Sequence, residues 1–200
     1  MVVLSWVISY LIGSISFSYL ISKKIAGIDI RSHGSGNAGA TNTLRVLGKG
    51  PGIAVLLLDA LKGLAAMGIT HLLTADPLAY AVSGMFAIVG HNWPIFFGFR
   101  GGKGIATTLG VALGFSPLAF LIGAVVAVAA IFFTRYVSLG SLLFVTILPI
   151  VLFFQDKPAS FFWTSLVLLL FAYIRHYENI RNLLSGKERK LGDKSYRKLG

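Results

Sequence analysis

The sequence contains no cysteine and little charge. Without cysteine, the chain has no disulfide bonds, no thiolate metal ligands and no cysteine nucleophile. Asp, Glu, Lys and Arg together make up only 12% of its 200 residues, about half of the ~25% found in ordinary soluble domains. Acids are the scarcest, seven against 18 Lys and Arg. Because these few carboxylates are scattered, we predict no metal site and no cofactor.

Apolar residues are in excess. They make up 56% of the chain, and the mean hydropathy is +0.79. A soluble fold of this size could not cover so much apolar surface, so the composition predicts an integral membrane protein. The formal charge of +11 is then typical of cytoplasmic loops, and we predict no nucleic-acid partner.

The apolar runs predict an all-α, polytopic integral membrane protein with about seven transmembrane helices. One span takes about 20 residues. The run 104–134 is too long for one span, and Ser116-Pro117 in its middle is a natural helix break. The predicted single membrane-embedded domain, 1–200, has spans at about 2–22, 53–74, 77–98, 104–116, 117–134, 137–154 and 159–174, followed by a basic tail, 175–200.

The placement of the basic residues predicts the orientation. They concentrate in the loop after the first span, in the loop before residue 104 and after residue 174. By the positive-inside rule these three regions are cytoplasmic, which places the N-terminus outside and the C-terminus in the cytoplasm. The first run has no basic start and no clear cleavage site, so we expect a retained span.

A polar stretch at residues 33–42, HGSGNAGATN, is followed by Arg45. Glycine allows tight turns that point backbone N–H groups at an anion, and Ser, Thr and Asn add side-chain donors. Arg45 adds a planar fork suited to phosphate. The stretch therefore predicts an anion site, although a plain polar loop between two spans is the alternative.

A second polar cluster comprises Gly90–Pro94 and Phe99–Gly104. A glycine-rich turn that opens a helix presents free N–H groups to an anion, and Lys103 adds a point charge. The cluster resembles a Walker loop, but Phe97 replaces its first glycine and Gly104 replaces its magnesium-binding Ser or Thr. We therefore exclude a nucleoside triphosphatase and predict phosphate binding only.

Two smaller polar groups complete the set. His176 and Asn179, just past the last span, share one helix face. Asp59 and Lys62 lie inside the second span at a spacing of three, which allows an ion pair. For Asp59 and Lys62, structural pairing and a direct substrate role both remain open.

His71 and Asp76 match the His-x4-Asp signature of a large acyltransferase family. Two fixed positions recur often by chance. The predicted topology also places them on the outer side, away from the other clusters. We therefore expect no catalytic role for this pair.

The motifs also occur together in a recognisable order. In order and spacing they resemble the bacterial acyl-phosphate:glycerol-3-phosphate acyltransferase family over nearly the whole chain. They are Gly34–Asn42 with Arg45, Asp59-x-x-Lys62-Gly63, Gly90–Pro94 with Phe99–Gly104, His176-x-x-Asn179-Ile180, and Gly186-x-Glu188.

The resemblance implies transfer of an acyl group from acyl phosphate to the 1-hydroxyl of glycerol 3-phosphate. The expected products are 1-acylglycerol 3-phosphate (lysophosphatidate) and inorganic phosphate, made in phospholipid synthesis. It further implies a multi-pass protein of the bacterial inner membrane, in contact with membrane lipid, with its site facing the cytoplasm. A phosphate or organophosphate transporter and an acyltransferase with another donor are the alternatives.

The resemblance also suggests residue roles. The base is left open between His91, His176 and a phosphate oxygen of the substrate. The predicted catalytic residues are Ser35, Asn37, Gly39, Thr41, His91 and His176, and the predicted substrate-binding residues are Gly36, Ala40, Asn42, Arg45, Lys62, Asn92, Gly101, Gly102, Lys103, Gly104 and Asn179.

Overall fold

The computed structural model describes residues 1–193. Within this part the regular secondary structure is entirely helical, which confirms the all-α prediction. Residues 194–200 of the predicted basic tail lie outside the described part. Short 3-10 helices occur at Ile30–Ser32 and Ile95–Phe97. The α-helices described are α1 (Val2–Gly13), α2 (Phe17–Ala26), α3 (Ala40–Leu47), α4 (Lys49–Leu73), α5 (Pro77–Asn92), α6 (Ile105–Phe115), α7 (Pro117–Thr134), α8 (Val137–Phe153), α9 (Ala159–Arg175) and α10 (Tyr177–Leu184).

The helix break predicted at Ser116-Pro117 is present. Ser116 caps α7, because its side-chain oxygen accepts a 3.1 Å hydrogen bond from the backbone N–H of Ala119. Pro117 occupies the first helical position, where its missing N–H has no partner to lose. The run 104–134 therefore folds as two helices.

Two other apolar runs differ from their predicted limits. The run 2–22 folds as α1 and α2, which are separated at residues 14–16. The run 77–98 is helical only to Asn92. Pro94 has no N–H to continue the helix and disfavours the helical conformation at Trp93.

The turns 74–76, 116 and 154–158 lie together at one end of the bundle. Ser116 Oγ donates a 2.7 Å hydrogen bond to Gln155 Oε1. Ser160 Oγ donates to the carbonyl oxygen of Pro77 at 3.2 Å. These contacts bring the starts of α5, α7 and α9 to the same end.

The glycine-rich loops and α10 gather at the opposite end, here called the polar end (residues 27–39, 93–104, 135–136 and 176–193). Arg175 Nη2 donates to the carbonyl oxygen of Gly102 at 2.8 Å. Arg135 Nη2 donates to the carbonyl oxygen of Leu191 at 2.7 Å. Successive long helices therefore alternate in direction between the two ends.

Among the described residues, three helical stretches are long and apolar enough to cross a membrane: Val2–Ala26, Lys49–Leu73 and Pro117–Thr134. A fourth is added if α9 and α10, which meet at a bend of 64°, are taken as one span. The helices α6 and α8 are apolar but shorter.

The packing of α1 is the inverse of that in a soluble helix. Ser5 and Ser9 are fully buried, whereas Val3 and Val7 are exposed. Gly13 approaches α5 so closely that a β-carbon there would lie 2.1 Å from the carbonyl oxygen of Ala87. Small residues at helix contacts and apolar residues outside are expected of a bundle surrounded by lipid.

Candidate functional site

A cavity of about 460 Å³ opens at the polar end and extends between the helices. Its outer part is lined by charged and polar side chains, including Arg45, Lys103 and Glu188. Its inner part is lined by apolar side chains of α6, α7 and α8, including Leu109, Phe120 and Phe144.

Most of the predicted site residues line this cavity, although they come from four separate segments of the chain. The remainder, Gly36, Lys62, Asn92, Gly101 and Gly102, do not form part of its wall. Those that line it are Ser35, Asn37, Gly39, Ala40, Thr41, Asn42, Arg45, His91, Lys103, Gly104, His176 and Asn179.

Asn42 holds the 33–42 loop in its conformation. Its buried side-chain amide donates to the carbonyl oxygens of His33 at 2.9 Å and Ile30 at 3.2 Å. Its Oδ1 accepts a 2.8 Å bond from the backbone N–H of Ser35. Because these hydrogen bonds occupy its side-chain amide, Asn42 stabilises the loop conformation and has no free donors for a ligand.

A hydrogen-bonded chain at the mouth of the cavity connects two of the polar clusters, those of Lys103 and Asn179, to α8. Lys103 Nζ donates to Asn179 Oδ1. Asn179 Nδ2 donates to Glu188 Oε1 at 2.7 Å, and Ser138 Oγ donates to the same oxygen at 2.6 Å. Burial lowers the pKa of Lys103, while the nearby carboxylate of Glu188 raises it. The cation is therefore held beside a carboxylate at the cavity wall.

Ser138 and Glu188 were not among the predicted site residues. The Gly186-x-Glu188 motif carried a signal for Glu188, although it gave no indication of the partners. Ser138 lies at the start of an apolar helix and had no sequence signal.

His176 is buried with a defined tautomer. Its Nδ1 lies 2.8 Å from the carbonyl oxygen of Ala172, which can only accept, so Nδ1 carries the proton. Nε2 therefore has a free lone pair. Burial, together with the charge of Lys103, lowers the pKa of His176 to about 4. The imidazole is consequently neutral at neutral pH.

Asp59 and Lys62 form the ion pair that their spacing allows, with Lys62 Nζ 2.7 Å from Asp59 Oδ1. Lys62 Nζ also donates to the carbonyl oxygen of Ile15 at 2.7 Å and lies 3.0 Å from His91 Nδ1. The ammonium group is surrounded by Asp59, Ile15 and His91. Lys62 therefore supports the cavity wall from behind.

Backbone contacts fix the 99–104 loop against the end of α5. The N–H of Gly102 donates to the carbonyl oxygen of His91 at 3.1 Å, and that of Gly101 donates to Asn92 at 3.2 Å. A β-carbon on Gly102 would lie 2.2 Å from His91 Nε2 and 2.6 Å from the carbonyl oxygen of Ala38. This glycine is required because two other segments approach it closely.

The apolar part of the cavity is a groove in the bundle. It runs along α7 from Ile131 to Phe120, a distance of about 16 Å at the helical rise per residue. Phe120 and Phe144 meet edge to face at its inner end, with ring centroids 6.3 Å apart. No polar motif marks these residues, so motif reasoning could not find them.

His71 and Asp76 lie at the other end of the bundle. His71 lines a separate cavity of about 330 Å³. Asp76 caps α5 by accepting a 2.9 Å hydrogen bond from the N–H of Leu78. In the described part of the chain no three His, Asp or Glu side chains are grouped as metal ligands.

Comparisons with known proteins point to a single family. A family model described as glycerol-3-phosphate acyltransferase matches residues 3–186. The glycerol-3-phosphate acyltransferase of Halalkalibacterium halodurans is 52% identical over 96% of this chain and 97% of its own length. That of Neisseria meningitidis is 43% identical over 94% of this chain and 96% of its own length.

Two solved structures are similar along the chain. One is PlsY, an integral membrane glycerol 3-phosphate acyltransferase, in its glycerol 3-phosphate form, with a TM-score of 0.90 and 38% identity. It covers 96% of both chains. The lysophosphatidic acid form of PlsY gives a TM-score of 0.87 at 36% identity, covering 96% of this chain and 95% of that one.

Proposed function

The chain belongs to the glycerol-3-phosphate acyltransferase family, and we propose that it acylates the 1-hydroxyl of glycerol 3-phosphate with acyl phosphate as donor. The products are 1-acylglycerol 3-phosphate and inorganic phosphate. The assignment as a glycerol-3-phosphate acyltransferase rests on the relatives and on the PlsY structures. The identity of the donor rests on the chemistry of the site.

The observation that carries the proposal is the composition of the cavity. One continuous space joins cationic side chains, Arg45 and Lys103, to an apolar groove that ends at Phe120. A substrate with a phosphate group and a fatty acyl chain requires both environments. An acyl phosphate combines the two in one molecule, whereas the second substrate needs only the polar part.

The two phosphate groups have separate places in this proposal. The 36–41 backbone, with Ser35, receives the acyl phosphate. The N–H groups of Gly36 and Gly39 bond within the loop, so the anion is bound by the first N–H groups of α3, at Ala40 and Thr41. Arg45, Lys103 and Asn179 bind glycerol 3-phosphate at the mouth of the cavity. The acyl chain then lies in the apolar groove.

Direct attack is the mechanism that these residues support best. Acyl phosphate is already activated, so the glycerol hydroxyl attacks the acyl carbonyl without a covalent enzyme intermediate. Binding both substrates in one cavity holds the reacting groups close together, and this positioning can account for much of the reduction in the activation barrier.

A phosphate oxygen of the substrate is the proposed base. A phosphate ester has a second pKa of ~6, whereas the pKa of His176 is about 4. The phosphate is therefore the stronger proton acceptor. His176 Nε2, with its free lone pair, accepts a hydrogen bond from the non-reacting hydroxyl of glycerol 3-phosphate and so orients the substrate, while the proton of the attacking hydroxyl passes to the phosphate oxygen.

The proposed setting is the bacterial inner membrane, crossed seven times, with the N-terminus outside and the site facing the cytoplasm. The distribution of charge supports this orientation. Lys23, Lys24 and Arg100 lie near the polar end, while Lys157 lies in a turn at the other end. Basic residues concentrate on the cytoplasmic side of membrane proteins.

Phosphate release by the purified full-length protein tests the proposal. Acyl phosphate and glycerol 3-phosphate are supplied together and then each alone, and lysophosphatidate is quantified in parallel. We expect release that requires both substrates and equals lysophosphatidate formed. Release from acyl phosphate alone would indicate a hydrolase instead. Glycerol 3-phosphate uptake into proteoliposomes without any release would indicate a transporter.

A further inference from the structure

The side chain of His91 is buried, with 6% of its surface exposed, yet it forms part of the cavity wall. Its Nδ1 faces Lys62 at 3.0 Å. Its Nε2 lies beside Gly102 and makes no hydrogen bond to any described residue. A ring nitrogen without a protein partner at a cavity wall is available to bind a ligand atom.

The contact with Lys62 determines which nitrogen of His91 carries the proton. An ammonium group can only donate, so Nδ1 of His91 must accept. A neutral imidazole with an accepting Nδ1 carries its proton on Nε2. His91 therefore presents an N–H donor beside the 99–104 loop, and it has no lone pair there to take a proton.

The surrounding charges favour the neutral ring. Lys62 lies on one side of His91, and Arg175 is bound to the carbonyl oxygen of the adjacent Gly102 at 2.8 Å. Asp59 Oδ1, at 3.5 Å from His91 Nδ1, is much closer to Lys62 and neutralises that ammonium first. A positive charge on His91 would be repelled by Arg175 and would compete with Lys62 for the carboxylate of Asp59.

We propose that Lys62, held by Asp59, is a positioning residue that fixes the Nε2–H tautomer of His91, and that this N–H donates a hydrogen bond to a phosphate oxygen of acyl phosphate. The inference rests on the proposed function for the identity of the ligand. Nε2 lies close to Gly102, which in turn approaches the carbonyl oxygen of Ala38 in the first glycine-rich loop. The donor therefore lies next to the loop assigned to acyl phosphate. This excludes His91 as the general base.

The tautomer can be measured directly. The chain contains four histidines, so ¹⁵N-histidine labelling of the full-length protein in micelles, with single His→Gln variants for assignment, resolves each ring. We expect His91 to carry its proton on Nε2 and His176 to carry it on Nδ1, which makes His176 an internal reference. In Lys62→Met the His91 signals should move towards a mixture of tautomers. A proton on Nδ1 of His91 in the unmodified protein would overturn the proposal, even where Lys62→Met fails to fold.

Kinetics test the donor. Glutamine retains a side-chain N–H and alanine does not, so His91→Gln should keep at least ~10-fold more kcat/KM for acyl phosphate than His91→Ala, since a hydrogen bond to a charged group is worth about 1.5–3 kcal/mol. Lys62→Met should raise the KM for acyl phosphate. The KM for glycerol 3-phosphate should stay within about twofold of the parental value, well below the 10-fold change that 1.4 kcal/mol would produce. Equal losses in His91→Gln and His91→Ala would overturn the donor role. If neither the parent protein nor any variant transfers acyl groups, the proposed function is wrong. The spectra would still determine the tautomer of His91.

Discussion

Ser138 and Glu188 meet at the mouth of the cavity, where the serine hydroxyl donates a 2.6 Å hydrogen bond to the carboxylate. The two residues are separated by 50 positions in the sequence. The same carboxylate oxygen accepts a bond from Asn179, which in turn contacts Lys103. Glu188 therefore connects α8 to two of the predicted polar clusters.

Loss of this carboxylate should weaken the site. In Glu188→Ala, Asn179 loses its acceptor and Lys103 loses a nearby negative charge, and such a loss costs about 1.5–3 kcal/mol. We expect a fall in kcat/KM for glycerol 3-phosphate of roughly 10- to 100-fold, and a smaller fall in Ser138→Ala. Asp156→Ala, which removes an exposed carboxylate at the opposite end of the bundle, is the control. Equal kinetics in Glu188→Ala and the control would contradict the proposed network.

Arg45 and Lys103 are predicted to bind the phosphate of glycerol 3-phosphate. Arg45→Ala and Lys103→Ala should each raise the KM for this substrate by about 10-fold or more, because a charge-assisted contact is lost. The KM for acyl phosphate should change less. Initial-rate measurements with each substrate varied in turn separate the two effects. Lys49→Ala, an exposed cation near Arg45, should behave like the parent protein. Unchanged kinetics in both site variants would remove this subsite.

The buried His176 predicts a dependence of stability on pH. Its pKa is lowered from 6.5 to about 4 by burial and by Lys103. Between these values the unfolded chain binds more protons than the folded one, so stability falls as the pH falls through this window. Thermal unfolding in detergent should show a lower Tm at pH 5 than at pH 7.5.

His176→Gln serves as the control for this effect, because it removes the titrating group. Its Tm should decline less between the two pH values than that of the parent. The pH–rate profile of the parent should show no limb near pH 6.5 that His176→Gln removes. The reason is that His176 stays neutral at this pH. A limb of that kind would indicate an essential histidine base.

Local features of the fold were predictable from the sequence. The break at Ser116-Pro117 and the ion pair of Asp59 with Lys62 each depend on neighbours within a few positions, and both were found. The end of α5 at Asn92 was missed although Pro94 signalled it. The apolar residues that follow Pro94 outweighed that signal, but they form a short 3-10 helix instead.

Tertiary features were not predictable in the same way. His91 joins the Asp59–Lys62 pair across 29 positions, and no sequence spacing encodes such a contact. The apolar groove was invisible for another reason. A helix such as α7 is apolar on all sides, so no hydrophobic periodicity indicates which side faces the groove and which faces lipid.

The groove itself leads to a prediction about acyl-chain length. Phe120 and Phe144 close its inner end, so Phe120→Ala should lengthen it and Ala124→Leu should block it earlier. Each methylene that gains or loses burial changes binding by about 0.8 kcal/mol, or roughly fourfold. The ratio of kcat/KM for C16 to C12 acyl phosphate should therefore rise in Phe120→Ala and fall in Ala124→Leu. Leu121→Ala, on the exposed side of the same helix, should leave the ratio unchanged. If all three variants kept the parental ratio, the acyl chain would have to bind outside this groove.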